Sequence, residues 1–294
     1  MNYRSGFIAI VGPPNVGKST LLNSILGDKV AIVTSKPQTT RNRITGIYTT
    51  NEFQMVFMDT PGIHDTRTPL HKSMVESAKA ALQEVDIVLL VIEMLRANAP
   101  EIHPIIVQLK KAKKPTVLAI NKIDQGRKDQ LLPIIDRYRK EYDFSAIVPI
   151  SALRGINLGH LLGELKALLP QGPQLFPEDM KTDQSEDFLV SEIIREKIYL
   201  YTRDEIPYSC AVTVDAMNDD PERGLLSITA KIHVETNSQK GILIGKGGSM
   251  IKKIGKGARE ELEARFGIKI FLDLLVRVEK NWSKNTKALR RLGY

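Results

Sequence analysis

The sequence has little cysteine, little tryptophan and no long apolar run, and each shortage excludes something. Cys210 is the only cysteine, so no intramolecular disulfide forms and a reducing compartment is expected. It lies in an alternating apolar run, Tyr208-Ser209-Cys210-Ala211-Val212, which predicts a buried strand position rather than a reactive thiol. The longest apolar run, Ile87 to Ile92, falls far short of the ~20 residues that a membrane-spanning helix needs. Met1-Asn2-Tyr3-Arg4 leads straight into a short apolar stretch without the pattern of a secretory leader. Neither secretion nor membrane spanning is expected, and no internal repeat or low-complexity tract is visible.

What is present is charge, unevenly placed. The 294 residues carry 42 Lys and Arg against 34 Asp and Glu, a formal +8. Residues 240–294 hold 14 basic and 5 acidic side chains, or +9, while residues 1–239 hold 28 and 29, or −1. A polyanionic partner is therefore expected for the last fifth of the chain. The length suits two domains, and hydrophobic (42%) and charged (26%) contents are ordinary for globular protein.

Short apolar runs at 7–11, 55–58, 87–92, 116–120 and 146–150 alternate with helical patterns near 74–82, 101–113, 129–142 and 156–169. This predicts an α/β domain: a mostly parallel sheet with helices on both faces. Residues 44–50 and 52–58 read as a hairpin that adds one antiparallel strand. From Pro170 the texture changes to Pro-Gln-Gly-Pro-Gln-Leu-Phe-Pro and polar residues, a linker pattern. The expected division is residues 1–170, a linker at 171–186, and a second α/β domain over 187–294. In that domain a helix at 188–202 and strands near 208–215 and 225–235 precede a Gly-rich turn at 245–248. A helix at 249–266 and a strand at 268–278 follow.

Gly12-Pro13-Pro14-Asn15-Val16-Gly17-Lys18-Ser19 matches G-x-x-x-x-G-K-[ST] between a strand and a helix, the context that a phosphate-binding loop requires. Two glycines let consecutive amides face phosphate oxygens, and the helix adds its positive N-terminal end. Lys18 is expected to reach the β- and γ-phosphates, and the Ser19 hydroxyl to ligate Mg²⁺. Asp59-Thr60-Pro61-Gly62 ends the next buried strand, where Asp59 is placed to hold Mg²⁺ through water and the Gly62 amide to meet a γ-phosphate.

Asn121-Lys122-Ile123-Asp124 follows a buried strand and addresses the base. A carboxylate at Asp124 pairs with the N1–H and N2 amino group of guanine, and adenine offers neither donor. Lys122 is expected to lay its stem along the base and Asn121 to tie this loop to the phosphate loop. A turn or helix cap explains Asp124 equally well when the motif is taken alone. Ser151-Ala152-Leu153, after the last strand, supplies a backbone N–H for the guanine carbonyl.

These motifs, in this order over residues 5–170, resemble the translation-factor class of small GTPases. The resemblance implies a threonine that reports the γ-phosphate through Mg²⁺; in Gln38-Thr39-Thr40-Arg41 it selects Thr40, with Thr39 the alternative. The chain departs from Ras-like enzymes at Ile63, where they place a water-orienting glutamine. His64 is the nearest polar residue. Slow intrinsic hydrolysis, raised by RNA, a ribosomal particle or an ion, is the expectation, with Lys18, Thr40 and Gly62 as the catalytic set. Asn15 matches the loop asparagine of GTPases that resemble potassium-activated switches, which makes K⁺ a second candidate ion.

In the basic segment, Gly245-Lys246-Gly247-Gly248 sits between Ile244 and an apolar helical stripe at Ile251, Ile254, Ala258 and Leu262. A G-x-x-G loop without bulky side chains lets a nucleic-acid backbone approach closely, as in KH modules. Ile244, Gly245, Lys246, Gly247, Gly248, Lys252 and Lys253 are the candidate RNA contacts. Helix–strand–strand–helix–strand order resembles a type II KH domain. A small GTPase followed by such a domain resembles the bacterial Era GTPases over nearly the whole chain, Arg203 to Ser209 and Lys280 to Ser283 included.

The resemblance implies GTP and GDP as ligands, the 3′ end of 16S rRNA and the 30S subunit as partners, and a role in 30S maturation. A cytoplasmic monomer with peripheral inner-membrane association is also implied. Trp282 is read either as a base-stacking residue or as an anchor in the domain core. Two rival classes rest on less: a P-loop ATPase or small-molecule kinase, against which Asn121 to Asp124 speaks, and a lipid-binding adaptor, against which Glu260, Glu261 and Glu263 speak.

Overall fold

The computed structural model describes residues 3–34, 36, 41–59 and 84–294. They divide into two compact units, with the change from the first to the second between Asp183 and Gln184. The expected helix near 74–82, and Thr39, Thr40, Thr60, Pro61, Gly62, Ile63 and His64, lie outside the described residues.

In the first unit, strands β1 (Arg4–Val11), β2 (Ile44–Thr49), β3 (Phe53–Asp59), β4 (Ile87–Glu93), β5 (Thr116–Asn121) and β6 (Ala146–Pro149) form one sheet in the order β2-β3-β1-β4-β5-β6. All neighbours are parallel except β2 and β3, which pair antiparallel from Ile44↔Asp59 to Thr49↔Gln54. The central strands are buried on both faces, so they read as continuous apolar runs rather than alternating ones. Helix α1 (Lys18–Leu26) starts on Gly17 and stops at Gly27, both in the left-handed region. Helix α2 (Ile102–Ala112) buries Ile102, Ile105, Ile106 and Leu109, the i, i+3, i+4, i+7 stripe of a one-sided helix. With α3 (Leu131–Glu141), which contributes Tyr138, it covers Val88, Leu90, Ile92, Leu118 and Ile120. Helix α1 meets β2 and β3, and α4 (Leu158–Leu168) meets β5 and β6.

Residues 171–183, which the sequence presents as linker, are bonded along this sheet. Gly172 N donates to Tyr3 O (3.1 Å), and Ser5 Oγ donates to Pro173 O (2.6 Å). The fully buried Gln54 side chain accepts from Leu175 N and Phe176 N and donates to Phe176 O and Thr49 Oγ1. Further on, Ile47 N donates to Lys181 O (2.8 Å) and Thr182 Oγ1 to Thr45 O (2.7 Å), so the strap covers the edge strand β2.

The second unit runs α5 (Glu186–Tyr201), α6 (Ile206–Ser209), β7 (Ala211–Asp220), β8 (Leu225–Val234), α7 (Asn237–Ile244), α8 (Ser249–Phe266), β9 (Lys269–Val278) and α9 (Thr286–Arg291). Its sheet has the order β7-β8-β9, with β7–β8 antiparallel and β8–β9 parallel. Ile254, Ala258 and Leu262 of α8 and Val190, Ile194 and Ile198 of α5 close one core over Ile228, Ala230 and Ile232. Two expectations need correction. Cys210 is fully buried but precedes β7: Pro207 at the start of α6 turns this stretch into one helical turn, and the Cys210 thiol points to Pro207 O (3.6 Å). Helix α7 was not anticipated; it begins in a capping box in which Thr236 accepts from Gln239 N and the Gln239 side chain returns to Thr236 N.

Candidate functional site

The nucleotide motifs converge at the carboxyl end of the first sheet, where ligands bind in open α/β folds. Gly12 follows β1 directly, and the loop to Gly17 delivers Lys18 and Ser19 as the first residues of α1. Lys18 is only 7% exposed, and its Nζ donates to Gly12 O (3.1 Å) and Pro13 O (2.9 Å) of its own loop. Burial lowers the Lys18 pKa from its ordinary value, and the Asp59 carboxylate partly opposes that shift. The loop is thus closed around a desolvated cation. Ser19 Oγ lies 2.6 Å from Asp59 Oδ2, and Asp59 is fully buried at the end of β3. A hydroxyl and a carboxylate side by side are the hard oxygen donors that suit Mg²⁺. No group of three or more His, Cys, Asp or Glu forms a metal cage among the described residues.

Asn121 joins the two halves of the site. It is 2% exposed; its Nδ2 donates to Val16 O (2.8 Å) in the phosphate loop, and its Oδ1 accepts from Ala152 N (2.9 Å) after β6. Gly17, at φ 98°, makes room for this tie: a Cβ there would stand 2.4 Å from Asn121 Nδ2. Lys122 takes the left-handed backbone (φ 62°), and Asp124 is exposed in the turn after it. Ile123 N donates to Ile150 O (3.2 Å), and Ser24 Oγ of α1 to Ala152 O (2.7 Å), so both base-side loops are cross-linked. Pro13, Pro14, Asn15 and Val16 all lie in the phosphate loop, Asn15 exposed with φ 62°. Ser151 is buried, bridged to Ile156 and accepting from Arg154 N through its hydroxyl (3.2 Å).

In the second unit, α7 ends at Ile244, and Gly245-Lys246-Gly247-Gly248 turns the chain into α8. Gly247 sits at φ 59° with open space where a side chain would start, and Lys246 is exposed beside it. Next to this turn, Ile251, Lys252, Gly255, Lys256 and Arg259 of α8 face Ile270 to Leu272 and Leu274 of β9 across a groove of about 490 Å³. The groove thus pairs apolar β9 residues with the basic side chains of Lys252, Lys256 and Arg259. The groove draws in Lys252 but not Lys253, whose ammonium lies 4.6 Å from the centre of the Tyr201 ring. Trp282 is fully buried, its Nε1 donating to Ser209 O (3.2 Å) and its ring stacked on Tyr294. It anchors the unit.

Two curated relatives, each called GTPase Era, match nearly end to end. That of Syntrophus aciditrophicus is 55% identical over 292 residues, 99% of this chain and 95% of its own length. That of Geobacter metallireducens is 51% identical over 292 residues, 99% and 98%. The chain belongs to the Era family of GTPases. Residues 7–122 match the family model for 50S ribosome-binding GTPases, and residues 205–283 match the KH domain model. The structure of an Aquifex aeolicus Era variant bound to GDP·AlF₄⁻ superposes with a TM-score of 0.96 at 42% identity, covering 99% of both chains. An Era complex with MgGDPNP and nucleotides 1506–1542 of 16S rRNA gives the same values. The fold is thus that of the Era family: a P-loop GTPase domain followed by a KH domain.

Sequence reasoning did not include Lys256 and Arg259 among the RNA contacts, and it missed Gly255 and the β9 side of the groove. The i, i+3, i+4, i+7 spacing of Lys252, Gly255, Lys256 and Arg259, all on one face of α8, was the available signal. No helix among the described residues is long and apolar enough to cross a membrane.

Proposed function

We propose that this chain is a GTP-hydrolysing switch. Its second unit grips the single-stranded 3′ end of 16S rRNA, and it thereby assists maturation of the 30S subunit. The observation that carries the nucleotide half is Asn121, bonded at once to the phosphate loop and to the Ala152 backbone. One side chain makes the phosphate-binding and base-reading loops a single preorganised surface. Gly12 to Ser19 would enclose the phosphates, Asp124 would accept from guanine N1–H and its amino group, and the loop of Ser151 and Ala152 would meet the guanine carbonyl.

Ser19 and Asp59 are the residues that would hold Mg²⁺, Asp59 through water and with Thr40 as the third group. When bound, Mg²⁺ neutralises charge on the transferring phosphoryl group. Lys18 supplies positive charge at the same place without solvent screening, because the loop carbonyls and burial have already desolvated it. Thr40 and the Gly62 amide would report the γ-phosphate and release it after hydrolysis. Asn15 is the proposed K⁺ ligand; equal turnover in NaCl and KCl would eliminate that role.

The RNA half rests on the groove between α8 and β9 together with the Gly245 to Gly248 turn, and on the Era complex that holds a 16S rRNA fragment. A monomer in the cytoplasm, with peripheral contact to the inner membrane through the basic 240–294 segment, completes the reading. The test is the GTPase rate with and without a 3′-terminal 16S rRNA fragment, for the intact protein and for Lys246→Asp/Gly247→Asp. RNA should accelerate the former and leave the latter unchanged. Acceleration of neither refutes the coupling, and equal RNA affinity of both refutes the Gly245 to Gly248 turn as part of the RNA site.

A further inference from the structure

Glu93 and Lys122 form an ion pair that no nucleotide motif announces. Glu93 closes β4 and stands opposite Asn121 in the strand register, so the sheet itself delivers a carboxylate beside the base-reading loop. Lys122 Nζ lies 2.7 Å from Glu93 Oε2, with the two side chains 26% and 13% exposed. The lysine backbone is fixed as well: Lys122 has φ 62° and ψ 35°, and its carbonyl accepts from Gln125 N (3.0 Å). Both ends of this side chain are therefore held. Two residues further on, Asp124 is exposed and makes no ion pair among the described residues.

An ammonium on a flexible four-carbon stem moves to whichever carboxylate its reach allows. Without Glu93, the carboxylate next in line along the chain is Asp124, the group that guanine must use. A Lys122–Asp124 pair would occupy the acceptor oxygens and pull the lysine stem off the base plane. We propose that Glu93 is a positioning residue for base recognition: it stretches Lys122 beside the base and withholds its ammonium from Asp124. The proposal rests on the reading that Lys122 and Asp124 meet the base. A largely buried ion pair with only a structural role affects stability when one partner is removed, but it does not affect base choice. Base choice is therefore the readout.

Release of fluorescently labelled GDP, with unlabelled ATP and inorganic tripolyphosphate as competitors, is measured for full-length Glu93→Ala, Glu93→Gln, Lys122→Ala and Glu93→Ala/Lys122→Ala. Glu93→Ala should speed GDP release about tenfold, the scale of one charge-assisted hydrogen bond. It should narrow the GTP-over-ATP preference by a similar factor and leave competition by tripolyphosphate, which has no base, as in the parent. Glu93→Gln keeps an oxygen for the ammonium and should fall between; it carries the test if Glu93→Ala does not fold. The double variant should release GDP no faster than Lys122→Ala alone. Unchanged release in Glu93→Ala beside fast release in Lys122→Ala would overturn the proposal. Weakened tripolyphosphate binding, or additive effects in the double variant, would overturn it too. Parent-like release in Lys122→Ala would overturn the base reading and the proposal with it.

Discussion

Replacing Asn121 by alanine tests whether the two nucleotide loops act as one surface. The substitution removes two hydrogen bonds of 2.8 and 2.9 Å at a residue that is 2% exposed. It leaves Val16 O and Ala152 N without their partner in a closed site. An orphaned buried group costs about 1–3 kcal/mol, so the pair is worth about 2–6 kcal/mol, with water entry favouring the low end. Taking about 3 kcal/mol, two limits follow. If the loops stay together without nucleotide, the cost falls on stability, and a unit of this size melts roughly 6–12 °C lower. If they separate, binding must reassemble them, and the GDP dissociation constant rises on the order of 100-fold. Calorimetric titration with GDP and a thermal melt of the nucleotide-free protein share the same free energy between them. Asn121→Asp should be worse than alanine, because it sets a carboxylate against Val16 O. A variant within threefold of the parent in affinity and within 1 °C in melting would refute the tie.

Gln54→Leu removes the side chain that holds the strap; it should cost about 2–3 kcal/mol in urea unfolding and speed amide exchange at Leu175 and Phe176. Unchanged exchange there would show that the strap is held elsewhere. Trp282 should show blue-shifted emission protected from iodide and indifferent to added RNA, and Trp282→Ala should cost about 3–5 kcal/mol; quenching by RNA would restore the stacking role. His233 is buried between Thr213 Oγ1 (2.9 Å) and Glu279 Oε2 (3.1 Å), and burial lowers its pKa although Glu279 opposes the shift. The unfolded chain therefore takes up this proton first as pH falls below the ordinary histidine value of about 6.5. Stability of the second unit should decline from there until pH passes the lowered folded value, and His233→Gln should flatten that decline in urea titrations between pH 7 and pH 5.

How much of this could be read in advance follows from what kind of constraint each feature obeys. The phosphate loop is legible because its chemistry demands glycine and lysine at fixed spacing; Gly17 has no alternative with Asn121 Nδ2 so close. The strands of the first sheet are legible because burial on both faces makes them continuous apolar runs. The strap is not, because its backbone bonds go to Tyr3, Ser5, one buried glutamine and an edge strand, and none of these leaves a period in residues 171–183. Helix α7 was hidden by Gly241 and by its eight-residue length, although Thr236 and Gln239 marked its start. The β9 wall of the groove alternates like any half-buried strand; only the fold shows that half-buried Leu272 and Leu274 lie on its α8 side.

The unit boundary also changes what the charge means. Residues 1–183 carry 23 basic and 18 acidic side chains, residues 184–239 carry 5 and 11, and residues 240–294 carry 14 and 5. The near-neutral average over 1–239 therefore hid a basic first unit and an acidic opening to the second. Much of that acid is engaged where it stands: Glu192 with buried Arg195, Glu196 with Lys197, Asp215 with Lys231, and Asp220 with Arg223. The α8 cations Lys256 and Arg259 make pairs of another kind. Lys256 with Glu260 (3.7 Å) and Arg259 with Glu263 (3.9 Å) are long, exposed i, i+4 contacts, which are worth a few tenths of a kcal/mol each. A phosphate displaces such carboxylates at little cost, whereas Lys246 and Lys252 have no ion pair to give up among the described residues. If the second unit binds RNA as proposed, its attraction depends on which cations are cheaply released rather than on their number.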